Sequence, residues 1–185
     1  MPGGSLQRVG SVSDNQGYPL AYFITFRCYG TWLHGDARGS ADRSGTHQPG
    51  QPLIPGTPSL QRRRQRALLH TPTTLGPPQR VVVDETIRGV CLHRRWELVA
   101  LEVRAEHVHV VVSGPCQPEK IMTSFKAWST RRLREAGLVL NGRRIWSRHG
   151  STRYLWDERA VEAACLYTVE AQGSGDGAGP GDGPR

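Results

Sequence analysis

The stretch Glu106-His107-Val108-His109-Val110-Val111-Val112 decides how this chain is read. A β-strand sends successive side chains to opposite faces of its sheet. As a strand, the stretch places His107 and His109 side by side on one face, with Val111 beyond them. Val108, Val110 and Val112 then face the other way, into a core. Two imidazoles spaced roughly 7 Å along a strand can converge on one divalent ion. The competing reading is structural: two half-buried histidines, each satisfied by a carbonyl or by water.

The strand has company on both sides. Trp96 to Val103 reads as another strand, and the short Arg104-Ala105 link makes the two an antiparallel hairpin. Upstream, Val81 to Arg94 reads as a helix, with Val83, Ile87, Val90 and Cys91 at helical spacing. Asp84, Glu85 and Thr86 suit its first turn. Downstream, Pro118 to Ala136 reads as a helix stopped by Gly137. Its apolar stripe is Ile121, Met122, Phe125, Trp128, Leu133 and Ala136. Arg132 falls on that stripe, which fits a helix end bordering a polar cleft.

Leu20 to Cys28 is rich in aromatic and β-branched residues and reads as a buried strand. Two short extended pieces are expected at Arg143 to Trp146 and Gly150 to Trp156. A last helix is expected from Asp157 to about Gln172, with Asp157 as N-cap and Trp156 stapled to Val161. Val161, Ala164, Cys165 and Thr168 form its docking face, and Tyr167 projects from another. The order strand, helix, strand, strand, helix, strand is the ferredoxin-like α+β pattern, here with an added terminal helix.

The rest of the chain frames this domain. Residues 1–17 read as a flexible lead-in and 173–185, rich in Gly, Asp and Pro, as a disordered tail. Residues 18–172 form the domain, with a loop-rich insertion over 35–79. A short helix from Pro58 to about Leu69 is expected within it, capped by Thr57 and carrying the basic run Arg62 to Arg66. With 24 Lys and Arg against 16 Asp and Glu, and a pI of about 9.9, a polyanionic partner is favoured. There is no run of eighteen apolar residues, so no membrane partner is expected. The four scattered cysteines form no Cys-x-x-Cys pair, which argues against a zinc ribbon and fits reduced thiols in a cytoplasm.

His107-Val108-His109 in the third strand and Tyr167 in a late helix resemble the single-tyrosine HUH transposases. These are the small insertion-sequence transposases and the REP-associated tyrosine transposases. Phe23-Ile24-Thr25-Phe26-Arg27 and Phe125-Lys126 share in the resemblance. It implies an enzyme that cuts and rejoins single-stranded DNA beside hairpins through a 5′-phosphotyrosine. Tyr167 would be the nucleophile, a role for which a free tyrosine, with a pKa of about 10, needs assistance. His107 and His109 would hold Mg²⁺ or Mn²⁺, and imidazole suits Mn²⁺ better.

Relatives place a third ligand one turn after the tyrosine. Here that position is Ala171. Resemblance favours Gln172 and helix geometry favours Glu170. Lys126, Arg131, Arg134, Arg148, Arg153 and Trp32 are candidate DNA contacts. Tyr154 and Tyr29 are rival nucleophiles. Insertion-sequence relatives dimerise to complete each site with the partner's tyrosine helix, whereas the REP-associated branch can act as monomers, so a homodimer is left open. Two other functions also stay open: a domesticated endonuclease processing repeat hairpins, and a non-catalytic basic nucleic-acid binder.

Overall fold

A computed structural model describes residues 17–33 and 56–170 of the chain. The sheet comprises β1 (Ala21–Cys28), β2 (Glu97–Val103), β3 (His107–Ser113) and β4 (Trp146–Leu155). The helices are α1 (Pro58–Arg66), α2 (Pro77–Arg94), α3 (Pro118–Glu135) and α4 (Glu158–Glu170). The four strands lie in the order β2-β3-β1-β4 with every pair antiparallel. This is the ferredoxin-like arrangement expected from the element order, with α4 added at the end.

The alternation in β3 sorts the molecule into two layers. Val108, Val110 and Val112 are fully buried with Tyr22, Ile24 and Phe26 of β1. Val83 and Ile87 of α2 and Ile121, Phe125 and Leu133 of α3 complete this core. Burying a side chain of that size contributes about 1.5–3 kcal/mol, so the three valines anchor the histidine strand firmly. On the opposite face, α4 docks through Ala164 against Ala21, Val111 and Leu155, with Phe23, Ala100, Val161 and Cys165 packed around them. Small residues on both sides let this helix approach closely.

Several expected boundaries shift. α2 begins at Pro77, not Val81, because Gly76 caps it: the Gly76 N–H donates to Gln79 Oε1 at 2.5 Å. The acidic triplet therefore sits in the helix body, where Asp84 pairs with Arg88 at 2.6 Å. α1 ends at Arg66, and Thr57 makes no side-chain cap. The two short pieces after α3 are one ten-residue strand, β4, bent by an irregularity opposite Phe26 and Cys28.

On α3, Ser129 takes the buried position, while Trp128 and Ala136 are exposed. Arg132 lines a groove between α2 and α3 with Trp128 and His93. It pairs there with Glu135 at 3.1 Å. Trp156 is also exposed, stacked on Tyr154 with ring centroids 6.2 Å apart, and does not staple α4. Asp157 does cap that helix, accepting from the Ala160 N–H at 2.8 Å. Residues 1–16, 34–55 and 171–185, which include most of the expected lead-in, much of the insertion and the tail, lie outside the described residues.

Candidate active site

The histidine face of β3 is read most easily as rows across the sheet. Phe23 lies opposite Val111, Thr25 opposite His109 and Arg27 opposite His107. On the far side Glu102 lies opposite His109, and the Arg104 N–H donates to the His107 carbonyl at 2.8 Å. On the near side Arg153 lies opposite Phe23. Strand alternation thus collects two histidines, three arginines, a glutamate, a threonine and a phenylalanine around one patch.

His109 is the buried member of the pair, and His107 is partly exposed. Their ring centroids are 4.6 Å apart at 71°. Phe23 stacks on His109 at 5.5 Å, nearly parallel. The Thr25 hydroxyl lies 2.8 Å from His109 Nδ1. When Nδ1–H donates to Thr25, the lone pair of the ring falls on Nε2, the arrangement found behind metal-ligating histidines. Burial, reinforced by the charges of His107, Arg104 and Arg27, pushes the His109 pKa down to about 3. The ring is therefore neutral at physiological pH, the form in which imidazole binds a cation.

Tyr167 joins this patch. It lies on α4 one residue before the buried Thr168, whose hydroxyl donates back to the Ala164 carbonyl at 2.8 Å. Its ring meets His109 at 5.5 Å and Phe23 at 5.8 Å, edge-on in both cases. Tyr167 and the histidine pair thus meet within one chain. The rival tyrosines sit elsewhere. Tyr154 packs against Tyr22 on the α2 and α3 side and donates to Gln117 Oε1 at 2.9 Å. Tyr29 is buried near His70, and its oxygen accepts from the Leu69 N–H at 3.2 Å.

The candidate ligand and DNA contacts divide. Gln172 lies outside the described residues, as does the side chain of Glu170. Among the described residues, no third His, Cys, Asp or Glu joins His107 and His109 in a metal-holding group. Arg153 is on the histidine face with its guanidinium over Phe23 at 5.7 Å. Trp32 stacks on Arg27, the guanidinium lying 3.3 Å from the ring centroid, at the rim beside His107. Arg148 is exposed near the bend of β4.

Lys126, Arg131 and Arg134 are on α3, across the sheet from the histidines. The Lys126 ammonium donates to the Ser147 and His149 carbonyls, both at 3.1 Å. Burial lowers its pKa to about 8, so its geometry is that of a clasp between α3 and β4. Arg131 pairs with Glu135 at 2.8 Å, and Arg134 reaches the Arg143 carbonyl at 3.4 Å. The support that Thr25 gives His109 is a feature of strand register. It becomes visible only when β1 is laid antiparallel to β3.

Residues 74–158 match a family model described as transposase, IS200-like. That span contains both histidines; β1 and Tyr167 fall outside it. Among solved structures, the chain is similar to a REP-associated tyrosine transposase bound to a REP hairpin. The identity is 14%, the match covers 80% of this chain and 63% of that one, and the TM-score is 0.42. It is also similar to a candidate transposase from Deinococcus radiodurans, at 16% identity, 89% and 97% coverage and a TM-score of 0.43. The chain thus spans less than two thirds of the first of these two. No curated protein matches.

Proposed function

We propose that this chain, whose residues 74–158 match the model of the IS200-like transposases, cuts and rejoins single-stranded DNA with Tyr167 as nucleophile. The observation that carries this reading is the meeting of Tyr167 with His109, 5.5 Å apart, beside His107. The Tyr167 oxygen attacks phosphorus, and the bond to the 3′-oxygen of the leaving strand breaks. The tyrosine loses a proton and the 3′-oxygen gains one, so the step conserves the phosphodiester energy in a 5′-phosphotyrosine. A second attack by a 3′-hydroxyl reverses the step and rejoins a strand.

The residues present fit a divalent cation in part. Two imidazoles are held together, one with its inner nitrogen bonded to Thr25, and the third donor falls to Gln172 or Glu170. Mg²⁺ or Mn²⁺ bound there would supply charge neutralisation at the scissile phosphate. Thr25 fixes the ring plane of His109, Phe23 packs its face, and Arg153 with Trp32 flanks the path of the strand. The substrate implied by the family resemblance is a single strand next to an imperfect hairpin.

The test is incubation with labelled single-stranded hairpin DNA, taken from the sequence flanking its own coding region, together with Mn²⁺. A covalent protein–DNA adduct on a denaturing gel is expected. It should vanish in Tyr167→Phe and His107→Ala and persist in Tyr154→Phe. An adduct that survives Tyr167→Phe would overturn the assignment.

A further inference from the structure

Arg104 is the least explained charged residue of the described chain. Its Nε and Nη2 are buried and make no hydrogen bond. A guanidinium has five donors and cannot shed its charge. An unpaired buried cation is costly, and native proteins rarely leave one without a partner. Hairpin packing does not account for the orphan, since the hairpin is already closed by the Arg104 backbone, whose N–H bonds the His107 carbonyl.

Its position indicates the missing partner. Arg27 lies opposite His107 on β1, and Arg104 follows the Val103–Val108 pair on the β2 side. The two arginines therefore flank His107 from either side. Among the described residues, no carboxylate is paired with Arg104, so an acidic neighbour does not fill the role. Arg104 as a whole is only partly buried, which lets an anion reach the fork from the histidine patch. A planar fork with two free donors matches two oxygens of a phosphate.

We propose that Arg104 is a substrate-binding residue whose guanidinium clamps the non-bridging oxygens of the phosphodiester placed at the histidine pair, opposite Arg27. This rests on the reading of the patch as a DNA-cutting site, but it concerns binding and is measured without cleavage. The ligand is a backbone phosphate of single-stranded DNA, recognised without regard to base. Arg104 also repels a divalent ion in the absence of DNA, and that repulsion is cancelled once the phosphate is in place. Phosphate and cation are thereby coupled, each favouring the other.

The experiment compares wild type with Arg104→Met, which removes the charge and keeps the volume, and Arg104→Lys, which keeps the charge and loses the fork. Binding of a fluorescent single-stranded oligonucleotide is followed by anisotropy across a salt series without metal. Arg104→Met should bind about tenfold more weakly, and its log–log salt slope should be shallower by about 0.7, the loss of one phosphate contact to a single strand. Arg104→Lys should keep the slope and lose part of the affinity.

Mn²⁺ binding to DNA-free protein, read by electron paramagnetic resonance, should tighten in Arg104→Met. Unchanged oligonucleotide affinity and slope in Arg104→Met would overturn the proposal. So would a joint loss of DNA and Mn²⁺ affinity, which would make Arg104 a prop for the histidine hairpin. If the wild type forms no covalent adduct yet these binding shifts appear, the cleavage reading fails and the clamp stands. If the adduct forms and the shifts do not, the reverse holds.

Discussion

Thr25 shows how much of this patch depends on a single hydroxyl. It is 7% exposed and lies within hydrogen-bond reach of His109 Nδ1. Replacing it with valine keeps the shape and removes the partner. His109 then keeps its stacking on Phe23 but loses the bond that selects its tautomer. Partners of this kind typically change metal affinity or activity by about 10–100-fold. Thr25→Val should therefore slow covalent adduct formation by about tenfold or more. The fold should lose about 1–3 kcal/mol, the cost of leaving a buried group unpaired, and still be populated. Adduct kinetics beside a thermal melt check this; equal kinetics in the two proteins would remove Thr25 from the site.

At the level of elements, β4 links the histidine face to the main core, and it does so through a glycine. A Cβ on Gly150 would run into the Thr25 carbonyl oxygen and the Met122 sulfur. Gly150 is paired with Phe26, beside the irregularity where the β1–β4 register shifts. Gly150→Ala should destabilise the protein by about 1–3 kcal/mol through overpacking, measured by denaturant unfolding. Because the clash is with Thr25, adduct formation should fall as well; a variant as stable as wild type would show that β4 yields there freely.

This strand was also the least legible in the sequence. Ser147 to Ser151 is polar throughout, and an edge strand with little side-chain burial lacks the alternation that exposed β3. The start of α2 was hidden for a related reason, because a side-chain amide from Gln79, not an acidic first turn, caps it. The histidine face and the two core helices were legible, since each rests on a periodicity of 2 or 3.6, whereas Tyr167 was singled out by the family resemblance. What no periodicity carries is the side of the sheet on which a helix packs. Lys126, Arg131 and Arg134 read as candidate DNA contacts from charge alone, and charge does not say that α3 lies across the sheet from the histidines.

At the level of the whole molecule, the question is whose tyrosine serves which histidines. α4 follows β4 after a two-residue turn and folds directly onto the face that holds His107 and His109. Its docking residues bury Ala164 and Thr168 almost completely. An exchange of α4 between chains would have to break those contacts and refill the same groove with an identical helix. The short connection makes the intramolecular arrangement the one with the lower chain-entropy cost. The expected active unit is then one chain carrying both halves of the site. An equimolar mixture of Tyr167→Phe and His107→Ala, each inactive alone, should stay inactive after co-refolding. Recovery of adduct toward about a quarter of the wild-type level, one intact site in each mixed dimer, would mean that tyrosine and histidines come from different chains, and the site would be a shared one.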